Sequence, residues 1–430
     1  MRIIVWGINY APELTGIGPF NTGLCEHLAD CGHQVEMVTT FPYYPFWKKI
    51  PDDHGRVYRT DVIDRVWVHR CWQYVPARAT TVRRMGHELS FAITSFVRVL
   101  FLARADLYVV VSPPLALGPM ASLAARLKRR RYIFHVQDLQ PDAAVGLGMV
   151  KKGRLIELLY RIEDWAYRDA AIVSGISGGM IEAFKSKGVP EAKTLLFPNW
   201  IRWFARNAEY RPPVGGRDAE SLSWRKKFGI SADAFLASYS GNLGRKQGLD
   251  CVVSAAAILE QQSREAAMRS ATQGAWREIV ILLVGDGANR PELEAQIAAL
   301  GVKSSVRLLP LLLERDYRQM LISSDICLVT QAPGTGRYFF PSKLLSILSV
   351  GTPILSVADE DSELARAVEE GQFGINVAPG NPPGLAAQLR DLSEDSAPLD
   401  RMRVNTAWVQ KFSASRVLVA FEKKLHEIVS

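Results

Sequence analysis

The sequence predicts an α/β protein made of two doubly wound, Rossmann-like domains. Three observations carry this. Short apolar runs rich in β-branched residues alternate with longer helical patterns along the chain, as parallel strands buried under helices do. The alternation restarts after a polar, Pro/Gly-rich stretch from Arg211 to Ser223. Finally, 430 residues exceed what one core usually serves, and 48% hydrophobic with 22% charged residues argues against extensive disorder.

In the first half, strands are expected at Ile3–Trp6, Val35–Thr39, Val66–Arg70, Leu107–Val111, Tyr132–Val136, Ala171–Ser174 and Thr194–Phe197. In the second half they are expected at Phe235–Tyr239, Ile279–Val284, Val306–Leu309, Ile326–Val329, Ile354–Val357 and Gly374–Val377. These runs give one domain over residues 1–200 and another over 201–404, their parallel sheets facing a cleft, with a hinge near Pro198 to Ser223. Trp408, Phe412, Val417, Phe421 and Leu425 recur at helical spacing. Residues 405–430 are therefore expected as a terminal helical segment with exposed aromatics, packing back on the first domain. The polar stretch Gln261 to Arg277 reads as a solvent loop.

Charge and cysteine content narrow the classes. The net charge of +8 falls unevenly, +7 within residues 1–200 and +1 beyond. Arg126, Lys128, Arg129, Arg130 and Arg131 form one basic run, either a solvated helix end or a face for an anionic membrane surface. No zinc-finger, RRM or KH pattern supports nucleic acid, and no partner protein is identifiable. Five cysteines without a CxxC pair support neither a disulfide framework nor a zinc site, so a reducing, cytoplasmic setting is expected. The N-terminus reads as a strand and loop rather than a signal peptide, and the apolar stretch Leu89 to Ala103 is too short to span a bilayer.

The chemistry concentrates in a few loops. YSGNLGRKQGLD, residues 239–250, follows a strand and precedes a helix, with Gly241, Asn242 and Gly244 ahead of the adjacent cations Arg245 and Lys246. Such a turn suits a diphosphate, because glycine lets backbone N–H groups approach and the following helix start is electropositive. A plain strand-to-helix loop is the alternative. LVGDGANRPELEAQI (283–297) is a strand, a glycine turn and a helix, with a structural role favoured. In residues 332–365, Gly336 closes a flexible segment, Ser342 and Lys343 begin a helix suited to an anion, and Glu363 can reach a ribose or sugar hydroxyl.

In the first domain, Gly16, Ile17 and Gly18 lie in a long loop after the first strand. Its spacing is not the GxGxxG of dinucleotide enzymes, which makes an NAD oxidoreductase the least fitting class. His135 and Asp138, in HVQDLQPD, lie at a strand end, where they can meet sugar hydroxyls or manage a proton. A satisfied structural histidine is the other reading. The aromatic-basic loop FPYYPFWKK (41–49) can touch a membrane or a sugar, or simply be packed.

Taken in order, YAPELTGIG, HVQDLQPDAAVGLGM, SGISGGM, FPNWI, YSGNLGRKQGLD, VGDGA and PSKLLSILSVGTPIL resemble the GT-B glycosyltransferases of family 4. Within that family the resemblance is to the WcaI-like, colanic-acid type exopolysaccharide enzymes, and it covers roughly residues 1 to 425. It implies hexosyl-type transfer, with retained anomeric configuration and no metal or other cofactor, from a UDP- or GDP-linked sugar to a polyprenyl-diphosphate-linked saccharide. It assigns acceptor binding to the first domain and donor binding to the second. Arg245 and Lys246 would hold the donor diphosphate, His135 would contact the donor sugar, and Gly16 and Gly18 would line the acceptor and phosphate loop. Many members carry two glutamates separated by seven residues where this chain has Tyr338 and Ser346; WcaI-like sequences often show the PSK segment instead. The location implied is the cytoplasmic face of the cell membrane, peripherally attached. A GT-B nucleotide-sugar epimerase and a non-catalytic assembly subunit are the alternative classes.

Overall fold

The computed structural model describes residues 1–13, 16–77, 80–146, 153–201, 218–269, 277–336, 341–403 and 407–429. The chain divides into two compact units, Met1–Asn199 with Ser415–Ser430, and Trp200–Ala414. Tyr338 and residues 211–217 of the polar stretch lie outside the described residues.

Unit 1 holds an eight-stranded sheet: β1 (Arg2–Trp6), β2 (Gln34–Thr40), β3 (Tyr58–Ile63), β4 (Val66–Cys71), β5 (Leu107–Ser112), β6 (Arg131–Val136), β7 (Ile172–Gly175) and β8 (Thr194–Leu196). The strand order is β3-β4-β2-β1-β5-β6-β7-β8. The central strands are buried on both faces, which is why they read as continuous apolar runs.

β3 departs from the all-parallel expectation, pairing antiparallel with β4 from Ile63↔Val66 to Tyr58↔Cys71. Its turn is Asp64-Arg65, both at positive φ (47° and 67°), the conformation of a two-residue hairpin. The turn lacks the Asn-Gly that usually announces such a hairpin, and this edge strand has no buried residue, so no apolar run marks it.

Unit 2 holds a six-stranded parallel sheet: β9 (Phe235–Ser240), β10 (Ile279–Val284), β11 (Val306–Leu309), β12 (Ile326–Thr330), β13 (Ile354–Val357) and β14 (Gly374–Val377). The order is β11-β10-β9-β12-β13-β14. Its helix Leu249–Arg269 corrects the expected loop from Gln261, since the exposed pairs Gln261–Glu265 (3.0 Å) and Arg264–Glu260 (2.9 Å) lie one helical turn apart. The end of the polar stretch is also helical: Asp218 accepts the Ser221 N–H at 2.7 Å and caps Ala219–Lys227.

The terminal segment is shared rather than continuous. Trp408 is buried against Phe373 and Phe412, ring centroids 4.9 and 4.7 Å apart, in a core of unit 2. The helix Ala414–Val429 enters unit 1, where Phe421 stacks on Phe197 at 3.8 Å. Both aromatics face cores instead of solvent, because each has an apolar ring opposite it.

Each sheet reverses its order of strand addition once, between β1 and β5 in unit 1 and between β9 and β12 in unit 2. Loops leaving the carboxyl ends of such a strand pair diverge, and ligands of open α/β sheets bind there.

Candidate active site

At the unit 2 switch point the chain leaves β9 through Gly241, whose φ of +134° excludes ordinary side chains. The turn after β10 braces this loop. Gly241 N–H donates to Val284 O, Leu243 N–H to Asp286 O and Asn289 N–H to Leu243 O, each at 2.9 Å. A Cβ on Gly285 would lie 1.9 Å from Gly241 O, and one on Gly287 would lie 2.5 Å from Leu243 O. The VGDGA glycines therefore serve close backbone packing.

Gly244 opens a 3-10 turn, Arg245–Gln247, and its N–H donates to Gln247 Oε1 at 3.1 Å. Gly248, left-handed at φ 60°, then leads into the helix at Leu249. Arg245 and Lys246 thus occupy their own short turn ahead of the helix, not its first turn. The Arg245 side chain is 86% exposed and 3.8 Å from Glu292, whereas Lys246 is half-buried. Asn242 is exposed and its carbonyl accepts the Tyr239 hydroxyl at 2.8 Å.

The loop after β12 lies on this turn. Ala332 N–H donates to Lys246 O at 2.8 Å, and Gly336 abuts Ser362, 2.7 Å from where a Cβ would stand. Ser362 accepts the Ala365 N–H at 3.0 Å and caps the helix Glu363–Gly371, placing half-buried Glu363 at its first position.

Lys343 starts the short helix Lys343–Ser349 and carries its Nζ over the Tyr239 ring, 3.8 Å from the centroid. Nζ also lies 3.3 Å from where a Cβ on Gly241 would be. It is buried, and among the described residues no acceptor reaches it. Burial, then the neighbouring charge of Lys246, pushes its pKa down to about 7. A buried ammonium without an acceptor is costly, and a nearby second cation adds to that cost. An anion at this point relieves both. The site rests on these side chains rather than on the short helix's amides: Leu344 and Leu345 N–H already bond Pro341 and Ser342 carbonyls, and exposed Ser342 makes no capping bond.

In unit 1, Gly16 (φ 67°), Ile17 and Gly18 lead into the helix Gly18–Asp30 beside β1. A Cβ on Gly18 would lie 3.1 Å from Glu13 O. Sequence reasoning missed Glu13, which is buried and accepts Tyr43 N–H (2.9 Å), Tyr44 N–H (2.8 Å) and Asn9 Nδ2 (2.7 Å). It latches the glycine loop to the aromatic loop. A glutamate preceding two glycines was the signal available. That aromatic loop is largely packed: Tyr43 and Trp47 lie 4.5 and 5.2 Å from the His87 ring, while Phe46 stands out, 80% exposed.

His135 closes β6 with both ring nitrogens bonded, Nδ1 to Ser174 Oγ at 2.9 Å and Nε2 to Gln137 Nε2 at 2.8 Å. Gln137 pairs with Asn199 through two 3.0 Å bonds. Burial holds the imidazole neutral, its pKa pushed down to about 3. This histidine presents no free nitrogen in this structure, so the arrangement is that of a network member. Asp138 is half-buried and adds to the burial that holds the Glu88 carboxyl above its usual range.

Residues 15–200 match the glycosyl transferase 4-like domain family, and residues 220–407 match the glycosyl transferases group 1 family. The chain is 32% identical over 398 residues to WcaI of Escherichia coli (strain K12), ascribed to colanic acid biosynthesis as a glycosyl transferase; 91% of each protein is covered. Among solved structures it is similar to the sucrose-phosphate synthase of Thermosynechococcus elongatus, with TM-score 0.73, 17% identity and 99% and 98% of the two chains covered. HepE of Anabaena, solved in complex with UDP-glucose, gives TM-score 0.67 and 17% identity over 99% and 100% of the chains.

Proposed function

The chain belongs to the group 1 glycosyltransferases of GT-B fold, and from that membership we propose that it transfers a sugar from a nucleoside-diphosphate sugar to a lipid-linked saccharide during surface glycan assembly. The buried ammonium of Lys343 beside Lys246, which no acceptor among the described residues reaches, carries this reading. Glycosyl transfer places growing negative charge on the departing diphosphate and positive charge on the anomeric carbon. Lys343 and Lys246 face that diphosphate from two loops, and the glycine at 241 lets it approach the backbone. Arg245, more exposed, adds a screened charge at the rim. Fixed cations aimed at developing charge lower the barrier because they need no reorganisation during the reaction. In this reading they supply the charge without a metal, and the sugar keeps its anomeric configuration.

A bilayer-side acceptor agrees with the outer face of the helix Thr81–Phe101. Met85, Leu89, Ile93, Val97 and Phe101 are exposed at four-residue spacing, with exposed Arg83 and Arg84 at one end. No described helix is long and apolar enough to cross a membrane, so this stripe suits attachment along an anionic surface. A thermal-shift screen of UDP, GDP and their sugars, followed by product analysis with lipid-linked acceptors, tests the proposal. HepE's UDP-glucose makes uridine nucleotides the first to try. Stabilisation by one nucleotide class together with acceptor-dependent turnover is expected, whereas turnover of donor alone would point to an epimerase.

A further inference from the structure

Ligating side chains gather at one corner of unit 1, at the amino-terminal edge of its sheet. His33 immediately precedes β2, while Glu422 and His426 lie one turn apart on the helix Ala414–Val429. One ligand atom from each of the three lies within 4.8 Å of the other two. Glu422 Oε1 is 3.1 Å from His33 Nε2 and 2.8 Å from His426 Nε2, so a single carboxylate oxygen serves two imidazoles. The two rings are tilted by 52° with centroids 5.4 Å apart. The His33 side chain is only 5% exposed, and that of Glu422 20%.

The surroundings add to this. Of the seven histidines in the chain, three (His27, His33, His426) belong to this corner. Cys31, the only exposed cysteine, sits two residues before His33, with its thiol 3.6 Å from His27 Nε2.

We propose that His33, Glu422 and His426 form a divalent transition-metal site of the zinc type, which fastens the C-terminal helix to the turn before β2. Two imidazoles and one carboxylate are a donor set that zinc accepts, with metal–ligand bonds of about 2.0–2.2 Å. Tetrahedral ligands at those lengths stand roughly 3.3 Å apart. The two nitrogen–oxygen separations already lie near that value, and rotation of the rings brings the third pair in. The metal takes the place of the proton that each Nε2 shares with Glu422, so binding requires both imidazoles neutral at that atom. His33 Nδ1 then carries the ring's remaining proton. Water completes the shell. The corner lies at the opposite strand ends from the glycine loop and His135, so the metal's role is structural.

The test uses the full-length chain, stripped with chelator and titrated with zinc by calorimetry, with cobalt absorption as the spectroscopic readout. Wild type is expected to bind one equivalent, to show cobalt d–d bands, and to melt about 5 °C higher at a hundredfold excess of zinc over its Kd. His426→Gln alters a half-exposed side chain and should leave the fold intact, with zinc affinity falling at least tenfold and the cobalt bands lost. His33→Gln should do the same. Absence of saturable binding by the wild type overturns the proposal, as does undiminished binding by both variants.

Discussion

Lys343→Met separates a ligand-binding lysine from a packing one, because its two expected effects have opposite signs. Methionine keeps the length and contacts of the side chain over Tyr239 but removes the charge. An ordinary lysine titrates near 10.5 and this one at about 7, a gap worth about 5 kcal/mol against the folded state. Since the folded pKa lies below the unfolded one, the unfolded chain binds more protons between those values and stability rises with pH there. The penalty is fully present below pH 7 and fades toward pH 10.5. The variant should therefore melt above the wild type at pH 6.5, with the difference mostly closed by pH 9.5. Nucleotide binding should move the other way. Removing a charge-assisted bond of roughly 1.5–3 kcal/mol weakens nucleoside-diphosphate affinity by about 10- to 150-fold. In the wild type, the need for the protonated amine should weaken that affinity about fivefold from pH 7 to 8. Calorimetric titration with UDP and GDP, beside thermal melts at the two pH values, measures both effects. A variant that melts lower and binds nucleotide unchanged would refute the argument.

Lys246→Ala should lower kcat/KM at least about tenfold, and Arg245→Ala less, since its charge is screened by solvent; steady-state kinetics with the identified donor ranks them. Gly285→Ala forces a Cβ to within 1.9 Å of Gly241 O at φ 146°, so a loss exceeding about 2 kcal/mol in stability is expected, with weakened nucleotide binding, read by melting and titration. Leu89→Glu with Ile93→Glu should abolish co-sedimentation with vesicles containing anionic phospholipid, at about 1.5–3 kcal/mol for each buried side chain, and leave nucleotide affinity within twofold of wild type. Co-sedimentation persisting unchanged in that double variant would remove the stripe from the attachment surface.

Legibility in the sequence followed burial. Strands such as Ile279–Val284 are covered on both faces and so spell out continuous apolar runs, whereas β3 at the sheet edge spells out nothing comparable. The same contrast holds for the terminal aromatics. Helical spacing located Trp408 and Phe421, but spacing says only that residues share a face, and their buried partners, Phe373 and Phe197, come from distant segments. Glycine turns were legible as turns, yet only the packing of Gly285 on the Gly241 carbonyl shows that VGDGA braces the neighbouring loop.

The candidate site divides along the same line. Arg245 and Lys246 stand out because they are adjacent and flanked by glycines, a local pattern. Lys343 lies 97 positions beyond Lys246, and the sequence marks it only as a lysine at a helix start suited to an anion. Its weight comes from strand order: β12 inserts beside β9, so Ala332 after β12 bonds the Lys246 carbonyl after β9, and Lys343 lies over Tyr239. A parallel sheet with one reversal thus makes two cations neighbours that no local motif joins. His135 shows the converse. Its position at a strand end is a local signal that invites a ligand, but β7 brings Ser174 alongside it and the chain returns with Asn199, so its hydrogen bonds are already spent within the fold. The strength of a site residue therefore lies in what the topology leaves unpaired, and among the described residues at the β9/β12 junction that is the ammonium of Lys343.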